Sequence, residues 1–294
     1  MTRLLVSFSG GETSAYMTKL IHERWHNRYS EIVTVFANAT QENDETLEFV
    51  QQCDDFYGWG VVWVEAAIDP ERGSGTKHRV VDFATADRVG GVFEEMIAKY
   101  GIPGPGFPHC TRELKLNPIR SCARSIGWEA GSYDTAIGIR VDEIDRMEAN
   151  AAESRIIYPL VSDWPTRKID INEHWVRQPF RLQLKGYQSN CKTCWKKSLR
   201  KHLTIMKETP EAFDFFELME AKYPKAGANP NDEVKRFFRQ HRSVADIREL
   251  AATVPFTPAT DDAREYQTDI FSALALDLSS DCDEGCEVNF GDAA

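Results

Sequence analysis

The 294-residue chain lacks any early apolar run long enough for a signal core or a membrane span, because Leu4 to Phe8 is broken at Ser7. That argues against a helical membrane protein and points to the cytoplasm. Its seven cysteines, an odd number for this length, form no disulfide framework. Two of them stand as Cys191-Lys-Thr-Cys194, a spacing better suited to metal or redox use. Neither G-x-x-x-x-G-K-[ST] nor G-x-G-x-x-G occurs, so an ordinary kinase-type loop and a dinucleotide fold are not indicated. Positive charge is in short supply, with 35 Lys and Arg against 46 Asp and Glu and a net charge of −11. On its face this disfavours a nucleic-acid partner.

The charge is unevenly spread. From Asp261 onward ten acidic residues face Arg264 alone, whereas residues 1–260 are close to neutral. That body contains a basic stretch without acids: Lys192, Lys196, Lys197, Arg200, Lys201 and Lys207. Such a stretch suits a phosphate-bearing substrate, or is simply a solvated helix face. Apolar residues at 42% and charged residues at 28% are the proportions of a folded globular protein with a sizeable core.

The spacing predicts an alternation of strands and helices. Arg3 to Phe8 reads as a buried strand ending at a Gly pair, followed by Met17, Leu20, Ile21 and Trp25 at helical spacing. Glu31 to Ala37 is β-branched and apolar, and Asn43-Asp44 caps a helix with Leu47, Val50, Cys53 and Tyr57 on one face. Gly60 to Glu65 and Asp134 to Ile139 read as further strands. Right-handed crossovers between them imply an α/β fold, a Rossmann-like and mostly parallel sheet with helices on both faces. Residues 66–107 read as largely loop, with one helix over Val92 to Tyr100, and 231–254 as one amphipathic helix. The expected organisation is an α/β domain over 1–185, a helical subdomain with the Cys pair over 186–260, and an acidic tail over 261–294.

Ser7-Phe-Ser-Gly-Gly-Glu-Thr-Ser14 sits where the first strand should turn into the first helix. Glycines there let the backbone approach an anion, hydroxyls add donors, and the helix N-terminus presents amides with a favourable dipole. A purely structural helix start is the alternative. This stretch resembles the PP-loop of the adenine nucleotide alpha-hydrolase superfamily, and especially its phosphoadenylylsulfate (PAPS) reductase-like branch. Val35-Phe-Ala-Asn38, the segment from His109-Cys110 to Pro118, Ala136 to Glu143, Tyr158-Pro-Leu160 and Asn190 to Cys194 resemble further family segments in the same order. The likeness covers roughly residues 3 to 200.

The resemblance implies an adenine nucleotide, ATP or PAPS, at the C-terminal strand edges. Ser7, Ser9, Gly10, Gly11, Glu12, Thr13 and Ser14 would form the phosphate loop, Asn38 and Gly138 would lie near adenosine, and Arg140 would pair with phosphate or sulfate. Two departures stand out. Thr13 occupies the position where ATP-pyrophosphatase loops usually carry Asp, and the reductases' C-terminal Glu-Cys-Gly-Leu-His is represented only by Glu284-Gly-Cys286-Glu.

Cys53 and Cys122 fall on apolar helical faces and read as inert buried residues. Cys110, Cys191 and Cys194 are the candidate metal ligands. In relatives of the resembled family two cysteine pairs hold a [4Fe-4S] cluster, and here His109 stands first of the four. The set admits such a cluster, a Cys₃His zinc site, or a redox dithiol. Arg112 and Lys115 would neutralise a cluster and bind phosphate, or are a basic helix start. Asp142 and Glu143 are candidate ligands for Mg²⁺ or general bases. Trp164, His174, Trp175 and Phe180 read as packing between sheet and subdomain.

The expected activity is ATP-dependent sulfur transfer to RNA or another phosphate-bearing acceptor. The alternatives are reduction of PAPS or adenylylsulfate by Cys286 with thioredoxin, and nucleotide or nucleic-acid binding without chemistry. A second copy of the chain is a further candidate partner.

Overall fold

The computed structural model describes residues 2–71, 73–227 and 234–264. Cys282 and Cys286, and with them the expected nucleophile, lie outside the described residues. The chain runs β1 (Arg3–Ser7), α1 (Glu12–Arg24), β2 (Glu31–Ala37), α2 (Asp44–Tyr57), β3 (Val62–Ala67), β4 (Lys77–Val81) and α3 (Gly91–Tyr100). It continues through α4 (His109–Thr111), a π-helical turn at Arg112–Leu116, α5 (Asn117–Ser125), β5 (Tyr133–Ala136), β6 (Ile156–Ile157), α6 (Pro159–Ser162) and α7 (Lys168–Val176). α8 (Leu199–Glu208), α9 (Asp214–Lys222) and α10 (Val244–Thr253) follow.

Six strands form one sheet in the order β4-β3-β2-β1-β5-β6, parallel throughout except for the β3–β4 pair. The protein is therefore an α/β protein with a Rossmann-like sheet. Side-chain alternation along β1 sends Leu4 and Val6 to the face covered by Met17, Leu20 and Ile21 of α1. Leu5 goes to the other face, with Leu116, Ile119 and Cys122. A strand buried on both sides must be apolar throughout, which is why Leu-Leu-Val is unbroken.

Three expectations change. β4 falls inside the region read as loop, because an edge strand with exposed Lys77 and Arg79 carries no continuous apolar signal. Of the single helix expected over 231–254, the described residues 234–254 form only α10 (Val244–Thr253), with a turn bridging Phe238 and Arg242 before it. Phe237 and Phe238 mimic helical periodicity but are buried from a turn, among Phe213, Phe216 and Ile247. That cluster also contains Phe93, Met96 and Ile97 of α3 and Leu114, so the boundary at 185 does not separate two cores.

His202 on α8 is fully buried among the rings of Phe213, Phe237 and Phe238. Burial, and then the nearby Lys197, lower its pKa from 6.5 to about 3. Between those values the unfolded chain takes up a proton that the folded chain refuses, so stability is full above pH 6.5 and falls as pH drops. The expected loss is about 1.4 kcal/mol per pH unit from this ring alone. In denaturant titrations from pH 7 to 4.5, His202→Leu should flatten the slope by about that much; an unchanged slope would contradict the assignment.

Candidate functional site

β2 and β3 lie to one side of β1, and β5 and β6 to the other, so the strand order reverses between β1 and β5. Open α/β sheets bind ligands at such a switch point, beyond the carboxyl ends of the strands. Residues 8–11, between β1 and α1, lie there. Gly10 has a φ of +85°, and a Cβ on it would sit 2.7 Å from the Thr46 methyl. α1 begins at Glu12 with Gly11 as its N-cap and no side-chain cap. Ser14 takes part in folding the loop back: its hydroxyl lies 2.9 Å from that of Ser9 and donates to the Gly11 carbonyl at 3.0 Å.

Gly138 approaches this helix start so closely that a Cβ would lie 2.9 Å from Ser14 Cα. Its lack of a side chain is thus explained by packing against α1. Arg140, 2% exposed, donates to Thr13 Oγ1 at 2.8 Å and pairs with Asp142 at 3.0 Å and Glu143 at 3.3 Å. The arginine expected to meet a phosphate is engaged with the loop's threonine. Asp142 and Glu143, noted as cation ligands, are committed to Arg140; Glu143 also pairs with Arg146.

Asn38, fully buried, donates to Glu65 Oε1 at 2.7 Å and the Asp87 carbonyl at 2.8 Å, and accepts from the Thr40 amide at 2.9 Å. These bonds make it a scaffold for the turn after β2. Thr40 in that turn has a φ of 62°, strained for a β-branched residue.

Residues 41–43 pair with residues 190–192. The Asn43 amide donates to the Asn190 carbonyl at 2.6 Å, the Lys192 amide to the Gln41 carbonyl at 2.9 Å, and Glu42 bridges to Cys191. Asn190 in turn donates from Nδ2 to the Ser9 carbonyl at 2.6 Å. The segment carrying the first cysteine of the pair is therefore bonded directly to the Gly-rich loop.

Further contacts clamp that loop. The Trp175 indole donates to the Glu12 carbonyl at 3.0 Å. Arg181 grips the buried Glu12 carboxylate with two bonds of 3.0 Å and donates to the Ala263 carbonyl. Trp175 does pack, as expected, but it also supports the loop. A cavity of about 300 Å³, counting its open mouth, is walled by Glu12, Lys168, Lys185, Ser189 and Asn190. Arg181, Lys168 and Lys185 were not singled out by sequence reasoning; they belong to no motif, and only folding brings them to the loop.

Cys110, Cys191 and Cys194 line one second cavity of about 380 Å³ with Lys115, Thr193 and Trp195. Lys115 comes from the π-helical turn, a rare geometry frequent at functional sites, and pairs with buried Glu42 at 3.2 Å. Burial, reinforced by Glu42, pushes the Cys191 thiol up. Arg112 turns away to Glu113, with His109 Nδ1 3.3 Å distant. His109 is stacked between Tyr100 and Phe107, and burial with Arg112 lowers its pKa to about 4. Neither residue is among those lining the thiol cavity. Among the described residues no three His, Cys, Asp or Glu side chains are placed to hold a metal ion. The basic stretch is not simply a solvated face, since Lys197 and Lys201 are buried. Cys53 and Cys122 are buried as expected.

The fold and site define an α/β protein with a Gly-rich loop at the switch point and a thiol-lined cavity bonded to it. The chain belongs to the family of the uncharacterized nin region protein ORF290 of Escherichia phage lambda, with which it is 30% identical over 289 residues, 97% of this chain and 94% of that one. No family model matches the chain. Among the described residues, no helix is long and apolar enough to cross a membrane.

Proposed function

We propose that this protein is a PAPS-reductase-like PP-loop enzyme that binds an adenine nucleotide and carries out ATP-dependent sulfur transfer. The observation that carries the reading is the Asn190–Ser9 hydrogen bond, which ties the Cys191–Cys194 segment to the phosphate loop at 2.6 Å. One element thereby couples a nucleotide site to a thiol site.

In this reading the loop and the cavity beside it receive the nucleotide, with Lys168 on its wall supplying positive charge for the phosphates; Lys185 lines the same wall but pairs with Glu208 at 3.0 Å. An acceptor oxygen attacks the α-phosphate and pyrophosphate leaves; a sulfur nucleophile then displaces AMP from the activated carbon. Positive charge and helix-terminal amides stabilise the departing phosphate. Arg140 holds Thr13 in place, and Arg181 and Trp175 hold Glu12, so the loop is organised before substrate arrives. The donor set of Cys110, Cys191 and Cys194 is chemically soft, as a cluster iron prefers, but the three are not placed to hold a metal ion together in this arrangement and would have to close around one. A [4Fe-4S] cluster held by these three would supply the sulfur or an iron site for it.

The test is anaerobic purification with iron and acid-labile sulfide analysis, followed by incubation with ATP labelled at the α-phosphate and with RNA as acceptor. Iron and sulfide that vanish in Cys191→Ala, together with labelled AMP and sulfur in the acceptor, are expected. A colourless, iron-free chain that releases sulfite from PAPS would replace sulfur transfer with reduction. Nucleotide binding with neither turnover would leave a binding protein.

A further inference from the structure

Two segments of this acidic chain contain no acid at all. Residues 191–207 and 234–245 hold ten of its 35 Lys and Arg and none of its 46 Asp and Glu. Folding joins them. The Arg239 guanidinium donates to the carbonyl of Trp195 at 3.4 Å and to those of Lys196 and Lys197 at 3.3 Å. Positive charge is thereby gathered in one place on a body that is close to neutral as a whole.

The second segment is a turn held by its surroundings. Phe238 and Arg242 bridge it, and Arg239 and Gln240 within it both have left-handed φ values, 53° and 65°. Side chains other than glycine reach that region only at a cost, so neighbouring contacts must fix it. Glu220 accepts from the Phe237 amide at 2.7 Å and the Val244 amide at 3.0 Å, and Gln240 Nε2 donates to the Ile102 carbonyl at 3.2 Å. Phe237 and Phe238 anchor the turn inside, while Arg236, His241 and Arg242 are exposed. Arg236 has Asp246 at 3.8 Å.

The Ile102 contact sets this turn beside the loop that carries Phe107. That ring is 48% exposed, and Lys235 Nζ stands 4.5 Å from its centroid. His109 stacks on Phe107 at 5.9 Å and 24°, and Tyr100 on His109 at 5.2 Å and 27°. A half-exposed ring, backed by a stack and bordered by cations, suits the face of a nucleobase with phosphates to either side. A duplex fits poorly, because its bases are already stacked on one another. An acidic peptide would use the cations and leave the ring idle.

We propose that Phe107 and the turn over residues 235–242 form a docking surface for a single-stranded polynucleotide. Phe107 stacks on an unpaired base, and Lys235 and Arg242 meet the phosphates. The base takes the place of the Lys235 ammonium over the ring, and that ammonium turns on its flexible stem to the backbone. None of these residues lines either cavity, and the proposal does not depend on sulfur transfer.

The full chain, without ATP, is titrated into labelled oligodeoxythymidine and oligouridine of about 15 nucleotides and into a labelled duplex, followed by fluorescence anisotropy. Both single strands should bind alike, since ring faces and phosphates do not report the 2′-hydroxyl, and the duplex should bind more weakly. Phe107→Ala should weaken binding about tenfold and leave its salt dependence unchanged. Lys235→Ala and Arg242→Ala should each make the slope of log affinity against log salt shallower by about 0.7. Arg28→Ala, beyond the C-terminal end of α1, should change nothing. No saturable binding, a duplex bound as tightly, or equal competition by polyglutamate at matched charge overturns the proposal. Native affinity in all three surface variants does so too. Because ATP is absent, failure here leaves the nucleotide reading standing, and strand binding by a chain that does not bind ATP sinks that reading alone.

Discussion

Replacing Gly10 with alanine should destabilise the protein by about 2–5 kcal/mol and, on the proposed reading of the loop, abolish nucleotide binding together with it. Two independent costs add. A φ of +85° is open to glycine but costs an L-residue about 1–2 kcal/mol. The new Cβ also meets Thr46 Cγ2 at 2.7 Å, Val50 Cγ2 at 3.0 Å and a Phe36 ring carbon at 3.1 Å, all belonging to the buried surroundings of the loop. Overpacking of that kind costs about 1–3 kcal/mol. The costs can be separated, because Thr46→Ser removes the nearest methyl while leaving the backbone demand intact. Denaturant unfolding of Gly10→Ala with and without Thr46→Ser should show partial recovery. Equal stability of Gly10→Ala and the native chain would mean that the loop does not pack against α2 as described.

The second large effect is expected at Glu65, at the C-terminal half of β3. Its fully buried carboxylate accepts from Asn38 at 2.7 Å, from the Asp87 amide at 2.7 Å and from Arg79 at 2.6 and 3.0 Å. Truncation to alanine leaves these donors without an acceptor inside the fold, which costs about 3–5 kcal/mol. Arg79→Ala should cost much less, since the Arg79 side chain is 51% exposed and Glu65 keeps its other donors. The damage should reach the site as well. Asn38 sets the Thr40 turn, and residues 41–43 beyond it pair with the Cys191 segment. Thermal unfolding of the two variants checks the order of effects; if Arg79→Ala is as harmful as Glu65→Ala, the buried hub is not the source of stability.

Much of the scaffold was legible from spacing. β1, β2, β3 and β5 announce themselves because strands buried on both faces must be apolar runs, and α1 and α2 because each buries one face. The Gly-rich loop was legible because a tight strand-to-helix turn demands glycine. The three cysteines singled out as candidate ligands do share a cavity, although among the described residues they are not placed to hold a metal ion. Roles were less legible. Asn38 and Arg140 were expected to face a ligand, yet their bonds run to Glu65 and Asp87, and to Thr13 and Asp142. His109 and Arg112, neighbours of Cys110 in sequence, point elsewhere because a helical turn sends successive side chains in different directions.

By itself, then, the sequence determined the class of fold, the place of the loop and the residues able to do thiol chemistry. Those follow from local rules: periodicity, backbone conformation and side-chain type. The tertiary structure alone decided which groups meet. Arg181 lies 169 residues from Glu12, and Asn190 lies 181 residues from Ser9, yet both pairs are hydrogen-bonded. No local pattern encodes such contacts, because a polar side chain's partner is set by where the buried sheet and helices leave a donor beside an acceptor that water no longer satisfies.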